Sequence, residues 1–162
     1  LRRICKFRVI PASHICQGVN VLCYNFVMAT ENDFNMELFF AALAERTRLR
    51  LLNLMGDDEI CVCFFAEIIG TNQPKISRHL AYLKRAKLVS ARRDGKWMHY
   101  RVAEPKNERA AEVFARVREM LREDKEMQAD RKKLVNVCCA PVPQQPVTIQ
   151  GAPRPASILA SI

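Results

Sequence analysis

The sequence lacks any uninterrupted apolar stretch of the roughly 20 residues that a transmembrane helix requires, so no membrane-spanning segment is predicted. It also lacks a catalytic triad, a glycine-rich phosphate loop and paired catalytic carboxylates, which argues against an enzyme. Its seven cysteines are an odd number in three clusters, unlike the even framework of a disulfide-rich secreted protein. We therefore expect reduced thiols and a cytoplasmic protein.

Acidic residues are almost missing from one segment, residues 71–101. Nine lysines and arginines and one acid, Asp94, give this segment +8 of the chain's formal net charge of +9. The rest of the chain is close to neutral. Charge concentrated in this way predicts a surface that binds a polyanion such as nucleic acid.

Two short helices are predicted within and just before this basic segment. Residues 61–70 ("CVCFFAEIIG") have apolar residues at helical spacing and end at Gly70, a common helix stop. After the polar "TNQ", residues 74–87 ("PKISRHLAYLKRAK") begin a second helix, with Pro74 in its first turn. Two helices joined by so few residues are typical of a helix-turn-helix.

The hydrophobic period then changes from that of a helix to that of a strand. "LVSARR" and "KWMHYRV" flank Asp94-Gly95, a strong signal for a β-hairpin. A helix-turn-helix followed by a basic hairpin predicts a winged helix. The expected fold class is therefore mainly α with a small β-hairpin, a dimeric winged helix-turn-helix.

The chain divides into three predicted regions. Residues 1–30 are expected to be a disordered or non-native N-terminal extension, and residues 31–134 a winged helix-turn-helix domain for DNA binding and dimerisation. Within that domain, residues 106–134 are predicted to form one long helix with an apolar stripe suited to a dimer interface. Residues 135–162 carry a cysteine pair and a proline-rich tail that is expected to be disordered.

In a helix-turn-helix, the second helix enters the major groove with its N-terminal residues against the bases. The candidate DNA contacts are Gln73, Lys75, Ser77, Arg78, His79 and Tyr82 on that helix and Arg92, Arg93 and Lys96 on the hairpin. Arginine and glutamine can read guanine and adenine respectively, whereas lysine and serine can contact bases or phosphates. For His79 and Tyr82 a packing role is an open alternative.

Cys61 and Cys63 lie one residue apart at the start of the first helix. They can be buried core residues, a redox pair or two ligands of a soft ion. On a straight helix, side chains two positions apart point about 200° away from each other. The two thiols can therefore share an ion only at a helix start or in a distorted turn.

The stretch "NQPKISRHLAYLKRAKLVSARRDGKWMHYRV", preceded by "LAERTRLRLLNLM" and "EICVCFFAEIIG", resembles the ArsR/SmtB family of winged-helix metalloregulators. "QPKISRHLAYLK" and "GKWMHYR" are most similar to its arsenic-responsive repressors, and the resemblance covers about residues 36–103. It implies a homodimeric repressor, without a constitutive cofactor, that binds an inverted repeat in double-stranded operator DNA. Such a repressor dissociates when an inducer binds.

The resemblance also implies an inducer, trivalent arsenic or antimony held by three thiolates, and a role in arsenical resistance. Cys61 and Cys63 match the C-x-C motif of the family. The third cysteine of the best-known arsenic repressors would stand at position 66, where this chain has alanine. The third thiolate must therefore come from outside this helix.

Two sources of that thiolate are open. Cys138 and Cys139 follow the predicted dimerisation helix, and we favour them as metal ligands because the N-terminal region is expected to be disordered or non-native. The alternative is a cadmium- or lead-responsive repressor of the same family that uses the N-terminal cysteines Cys5, Cys16 and Cys23. A thiol redox sensor based on Cys61 and Cys63 is a further alternative.

Overall fold

The computed structural model describes residues 34–141 and 144–156. Within them the helices are α1 (Met36–Leu43), α2 (Arg46–Met55), α3 (Val62–Ile69), α4 (Gln73–Arg85), α5 (Glu108–Glu123) and α6 (Lys125–Cys139). The strands are β1 (Ile60–Cys61), β2 (Val89–Asp94) and β3 (Trp97–Val102). The predictions for residues 1–30, with Cys5, Cys16 and Cys23, lie outside the described residues. None of the helices described is both long and apolar enough to span a bilayer.

Helices α3 and α4 form the predicted helix-turn-helix. Helix α3 ends at Gly70, whose positive φ of 73° allows the chain to turn sharply. Asn72 then caps α4, because its side chain accepts a hydrogen bond from the Lys75 backbone N–H at 3.0 Å. One face of α4 is buried in the common core through Ile76, Leu80 and Leu83.

Strands β2 and β3 form the predicted hairpin. Asp94 pairs with Trp97, so the two turn residues are Gly95 and Lys96, one position later than the sequence signal indicates. Gly95 has a φ of 55°, which suits glycine at the first position of a two-residue turn. The mainly α fold with a small β-hairpin, a winged helix-turn-helix, is therefore confirmed.

A third strand, β1, was not predicted. It contains only two residues and pairs antiparallel with β3, so the strand order is β1-β3-β2. Ile60 stands opposite Tyr100, and Cys61 stands opposite His99. Strand β1 therefore joins the start of α3 directly to the wing.

The prediction of one helix over residues 106–134 was wrong, because α5 and α6 meet at Asp124. The Asp124 carboxylate accepts hydrogen bonds from the backbone N–H groups of Glu126 and Met127 and so starts a new helix. The predicted apolar stripe is divided accordingly. Its buried members are Ala110, Phe114, Leu121 and Met127, whereas Val113 and Met120 are exposed.

Helix α6 is fixed to the domain by polar contacts with α2. The Arg50 guanidinium donates two hydrogen bonds, of 2.6 and 2.9 Å, to the buried Asp130 carboxylate. Asn53 donates to the Met127 carbonyl oxygen at 2.9 Å. Such buried, paired charges hold the two helices in one register, since a shift would leave a charge without its partner.

The C-terminal region differs from the expected disordered tail in the part that the structure describes. Helix α6 continues to Cys139, and a short 3-10 turn, Val147–Ile149, lies against α3. Ile149 is 1% exposed, because it fills part of the core beside α3. The Thr148 hydroxyl also donates to the Glu67 carboxylate of α3 at 3.0 Å.

Candidate thiol site and DNA interface

Cys61 and Cys63 lie at the junction between β1 and α3. Cys61 is the last residue of the strand and the N-cap of the helix, with an extended backbone (φ −68°, ψ 141°). With Cys61 outside the helix, the two sulfur atoms lie 2.9 Å apart, and the Cys63 thiol donates to the Cys61 sulfur. Both side chains are buried. The two thiols therefore meet at a helix start, the position at which such a pair can share one ion.

The contact between the two thiols alters the acidity of both. The hydrogen bond from Cys63, helped by the backbone N–H of Cys63 and of Met98, outweighs burial and lowers the pKa of Cys61 to about 7. The same hydrogen bond, together with burial, raises the pKa of Cys63. Above about pH 7 the pair therefore holds one thiolate and one thiol, and an ion that binds both sulfurs must displace the remaining proton.

The other predicted thiol ligands stand at the end of α6. Cys138 is buried, and this burial raises the pKa of its thiol to about 11, whereas Cys139 is exposed. Within residues 34–141 and 144–156, no three His, Cys, Asp or Glu side chains form a group that could hold a metal ion. The structure thus brings Cys61 and Cys63 together, but it does not gather Cys138 and Cys139 with them.

His99 is the polar residue nearest to this pair in the sheet register. It stands opposite Cys61 in the ladder between β1 and β3, and only 3% of it is exposed. Its Nε2 atom is buried and has no hydrogen-bond partner among the described residues. Sequence reasoning placed His99 in the hairpin but did not connect it with the thiols, because β1 is too short to leave a sequence signal.

The N-terminal half of α4 carries the predicted DNA contacts in two environments. Four of them are exposed on the helix: Gln73, Lys75, Ser77 and Arg78. His79 instead turns towards α2, with its Nδ1 atom 3.2 Å from the Glu45 carboxylate. Tyr82 lies between the guanidinium groups of Arg48 and Arg85, at 4.5 and 4.6 Å from its ring centre. The packing alternative is therefore favoured for both His79 and Tyr82.

The three hairpin cations also differ in their surroundings. Arg92 contacts the carboxylates of Glu59 at 3.0 Å and Asp94 at 3.2 Å, so much of its charge is balanced within the protein. Arg93 and Lys96 are exposed, and the Lys96 ammonium lies 4.9 Å from the centre of the Trp97 ring. Arg93 and Lys96 are thus better placed than Arg92 to meet a phosphate.

The sequence that forms this site resembles that of known regulators. Residues 45–91, from the start of α2 into β2, match the family model described as "Bacterial regulatory protein, arsR family". A helix-turn-helix-type transcriptional regulator of Methanocaldococcus jannaschii, itself uncharacterised, is 35% identical over 82 residues, which cover 50% of this chain and 89% of that regulator. This chain belongs to the ArsR family.

Two further relatives of this ArsR-family chain carry functional names. The arsenical resistance operon repressor of Escherichia coli is 45% identical over 65 residues, covering 40% of this chain and 56% of the repressor. A probable mercury resistance operon repressor of Streptomyces lividans is 44% identical over 68 residues, covering 42% of this chain and 54% of the repressor. The chain thus spans little more than half the length of these two curated relatives.

The family match covers only part of the ArsR-family chain. It includes the thiol pair, α3, α4 and the first residues of β2, and it ends before β3. Helices α5 and α6, with Cys138 and Cys139, lie outside it. The match therefore supports the helix-turn-helix most strongly, whereas the choice of ion must be argued from this chain's own donor atoms.

Proposed function

We propose that this ArsR-family protein is a cytoplasmic transcriptional repressor that binds double-stranded operator DNA as a homodimer. It dissociates when Cys61 and Cys63 bind trivalent arsenic or antimony. The observation that carries the proposal is the 2.9 Å contact between the two sulfurs at the start of α3. Thiolates are the ligands that soft ions of this kind prefer.

The DNA-binding part of the proposal rests on α4 and the wing. Arg78, Lys75 and Gln73 are exposed on the N-terminal half of α4, the part of a recognition helix that reaches base edges. No acidic residue lies in α4 to repel phosphates. Arg93 and Lys96 extend the positive surface onto the hairpin, where phosphate contacts fix the register on the duplex.

Ion binding is coupled to DNA binding through the position of the thiol pair. Cys61 is part of β1, which pairs with the wing, and Cys63 lies in the first turn of α3, which packs on α4. An ion bound to both sulfurs replaces the hydrogen bond between them. The junction that supports both DNA-binding elements is thereby disturbed, and operator affinity falls.

A three-thiolate arsenic site requires one more sulfur. We propose that Cys138 or Cys139 supplies it, because α6 packs against α3 and ends at this pair. Burial of Cys138 opposes its ionisation, so its use requires the end of α6 to open. Cadmium or lead bound with the N-terminal cysteines is the competing interpretation, and oxidation of Cys61 and Cys63 is another.

Fluorescence anisotropy of labelled operator DNA tests the proposal. Arsenite and antimonite should release the wild-type protein, whereas Cys61→Ser and Cys63→Ser variants should bind DNA equally well and stay bound. Cys139→Ser and Cys138→Ser test the third ligand in the same assay, while cadmium, lead and peroxide test the competing interpretations.

Two results would contradict the proposal. The DNA-binding part fails if the protein does not distinguish its own promoter from scrambled DNA. The assignment of the site fails if arsenite still releases the Cys61→Ser variant.

A further inference from the structure

We propose that His99 is a metal ligand, through which Cys61 and Cys63 hold a thiophilic divalent cation such as Zn²⁺. The effect on DNA rests on the function proposed above, whereas the ligand assignment can be measured without DNA. Under this proposal the dithiol accepts two classes of ion: a trivalent ion that recruits a third thiolate, and a divalent ion that recruits His99.

The first supporting observation is the register of the sheet. His99 and Cys61 are directly opposed residues of the antiparallel β1–β3 ladder. Opposed residues have Cα atoms about 4.5–5.5 Å apart and side chains on the same face of the sheet. The Cys63 sulfur is 2.9 Å from that of Cys61, so the register places His99 directly opposite one member of the thiol pair.

The second observation concerns the imidazole itself. His99 is 97% buried, yet its Nε2 atom has no hydrogen-bond partner among the described residues. Buried side-chain nitrogen atoms nearly always have a partner, because an unpaired polar group away from water costs about 1–3 kcal/mol. Neutral imidazole is also the commonest metal ligand among side chains. Nε2 is therefore a buried nitrogen atom that no hydrogen bond occupies within the described residues, and it can serve as a metal ligand.

The donor set indicates the class of ion. Trivalent arsenic takes thiolates, and position 66 offers none. Two thiolates and one imidazole are a known zinc set, which keeps a fourth position open for water or another ligand. Hard cations such as Mg²⁺ prefer oxygen ligands and are excluded by these donors. His99 is thus the residue that decides whether a divalent ion can be held.

Binding requires the three side chains to close on the ion, since no three potential ligands already form such a group in the described part of the chain. The zinc ion takes the place of the proton between Cys63 and Cys61, and that proton is released on binding. His99 lies in β3 and Cys61 in β1. Movement of these side chains onto the ion therefore displaces the wing as well as the start of α3.

The test uses the full chain with the five other cysteines changed to serine, so that Zn²⁺ meets only one dithiol. The changed residues are Cys5, Cys16, Cys23, Cys138 and Cys139. Zinc affinity is measured by competition with a chromophoric chelator, with and without His99→Gln. Glutamine keeps a polar side chain of similar length, and circular dichroism and operator binding without ion confirm that the variant is folded.

We expect His99→Gln to weaken zinc binding at least about tenfold, since even the loss of a group that only orients a ligand costs 10–100-fold. X-ray absorption of the zinc complex should show two sulfur neighbours at about 2.3 Å and a nitrogen neighbour at about 2.0–2.1 Å. The nitrogen contribution should disappear in the variant. Equal zinc affinity in the two proteins, or a spectrum with sulfur neighbours alone, overturns the inference.

The assay separates this inference from the proposed function. In the full wild-type chain, arsenite release without any zinc binding would overturn the role of His99 and leave the arsenic-responsive repressor intact. Zinc binding that depends on His99 but releases no DNA would support the ligand assignment and contradict an effect of zinc on DNA binding. Both the His99 ligand and the proposed function are supported if zinc releases operator DNA from the wild type but not from His99→Gln, while arsenite releases DNA from both proteins.

Discussion

At the scale of single residues, Cys61 and Cys63 have opposite acid–base behaviour despite their similar burial. Cys61 accepts hydrogen bonds from the Cys63 thiol and from the backbone, so its thiolate is stabilised. Cys63 is the donor, so loss of its proton removes a favourable contact. Raising the pH through 7 therefore ionises Cys61 first and creates an acceptor for a soft ion.

This difference predicts how the pair titrates. Cys63→Ala removes the donor, so the midpoint of Cys61 ionisation should rise above pH 7, whereas Cys63→Ser keeps a donor and should change it little. The measurement is the ultraviolet absorbance of the thiolate, taken as the difference from the matching protein that also carries Cys61→Ser. An unchanged midpoint in Cys63→Ala would show that the backbone N–H groups, and not Cys63, set the acidity of Cys61.

At the scale of elements, α3 is held on several sides. It packs on α4, on α6 and on the 3-10 turn of the C-terminal segment. Ile149 supplies the buried apolar contact of that turn, and Thr148 supplies a hydrogen bond to Glu67. The helix that begins with the thiol pair is thus stabilised by residues far beyond the helix-turn-helix in sequence.

Ile149→Ala should lower the free energy of unfolding by about 2–5 kcal/mol, the range for removing a buried isoleucine side chain. Val147→Ala is the matched control, because Val147 is 84% exposed in the same turn and should change stability by less than about 0.5 kcal/mol. Urea unfolding followed by circular dichroism measures both. Equal, small effects would show that the segment does not pack on α3 in solution.

At the scale of the whole molecule, some apolar side chains have no cover within the described part of one chain. Met36 and Phe40 of α1 and Val113 and Met120 of α5 are 61%, 50%, 40% and 70% exposed. Exposed apolar side chains grouped on helices are typical of protein–protein interfaces. A second copy of the chain, as the proposed homodimer requires, would cover them.

Met120→Glu should therefore weaken self-association on the order of tenfold or more, because the new carboxylate would be buried without a partner. Val147→Glu introduces the same charge at another exposed apolar position and should leave self-association unchanged. Sedimentation velocity over a range of concentrations compares the two variants with the wild type. A Met120→Glu protein that stays as dimeric as the wild type would place the interface elsewhere.

The sequence predicted the elements that have strong local signals. Gly70, the polar turn "TNQ" and the spacing of Ile76, Leu80 and Leu83 define the helix-turn-helix, and Asp94-Gly95 defines the hairpin to within one residue. The break at Asp124 was missed, because good helix formers lie on both sides and no proline or glycine marks it. The cap is evident only in the structure, where the Asp124 side chain accepts hydrogen bonds from two backbone N–H groups.

The thiol site was predicted only in part. The resemblance to the family supplied the C-x-C motif, and the need for a helix start followed from helical geometry. The role proposed for His99 does not, because it depends on a two-residue strand that exists only through its pairing with β3. Likewise, the contacts of His79 with Glu45 and of Arg92 with Glu59 join residues more than 30 positions apart, which no local pattern encodes.

The pairing of β1 with β3 has a consequence for how such a regulator can evolve. Under the function proposed above, a substitution that displaces β3 also displaces Cys61, the strand residue that begins the thiol pair. Mutations in this strand of the wing would therefore alter DNA affinity and the response to the inducer at the same time.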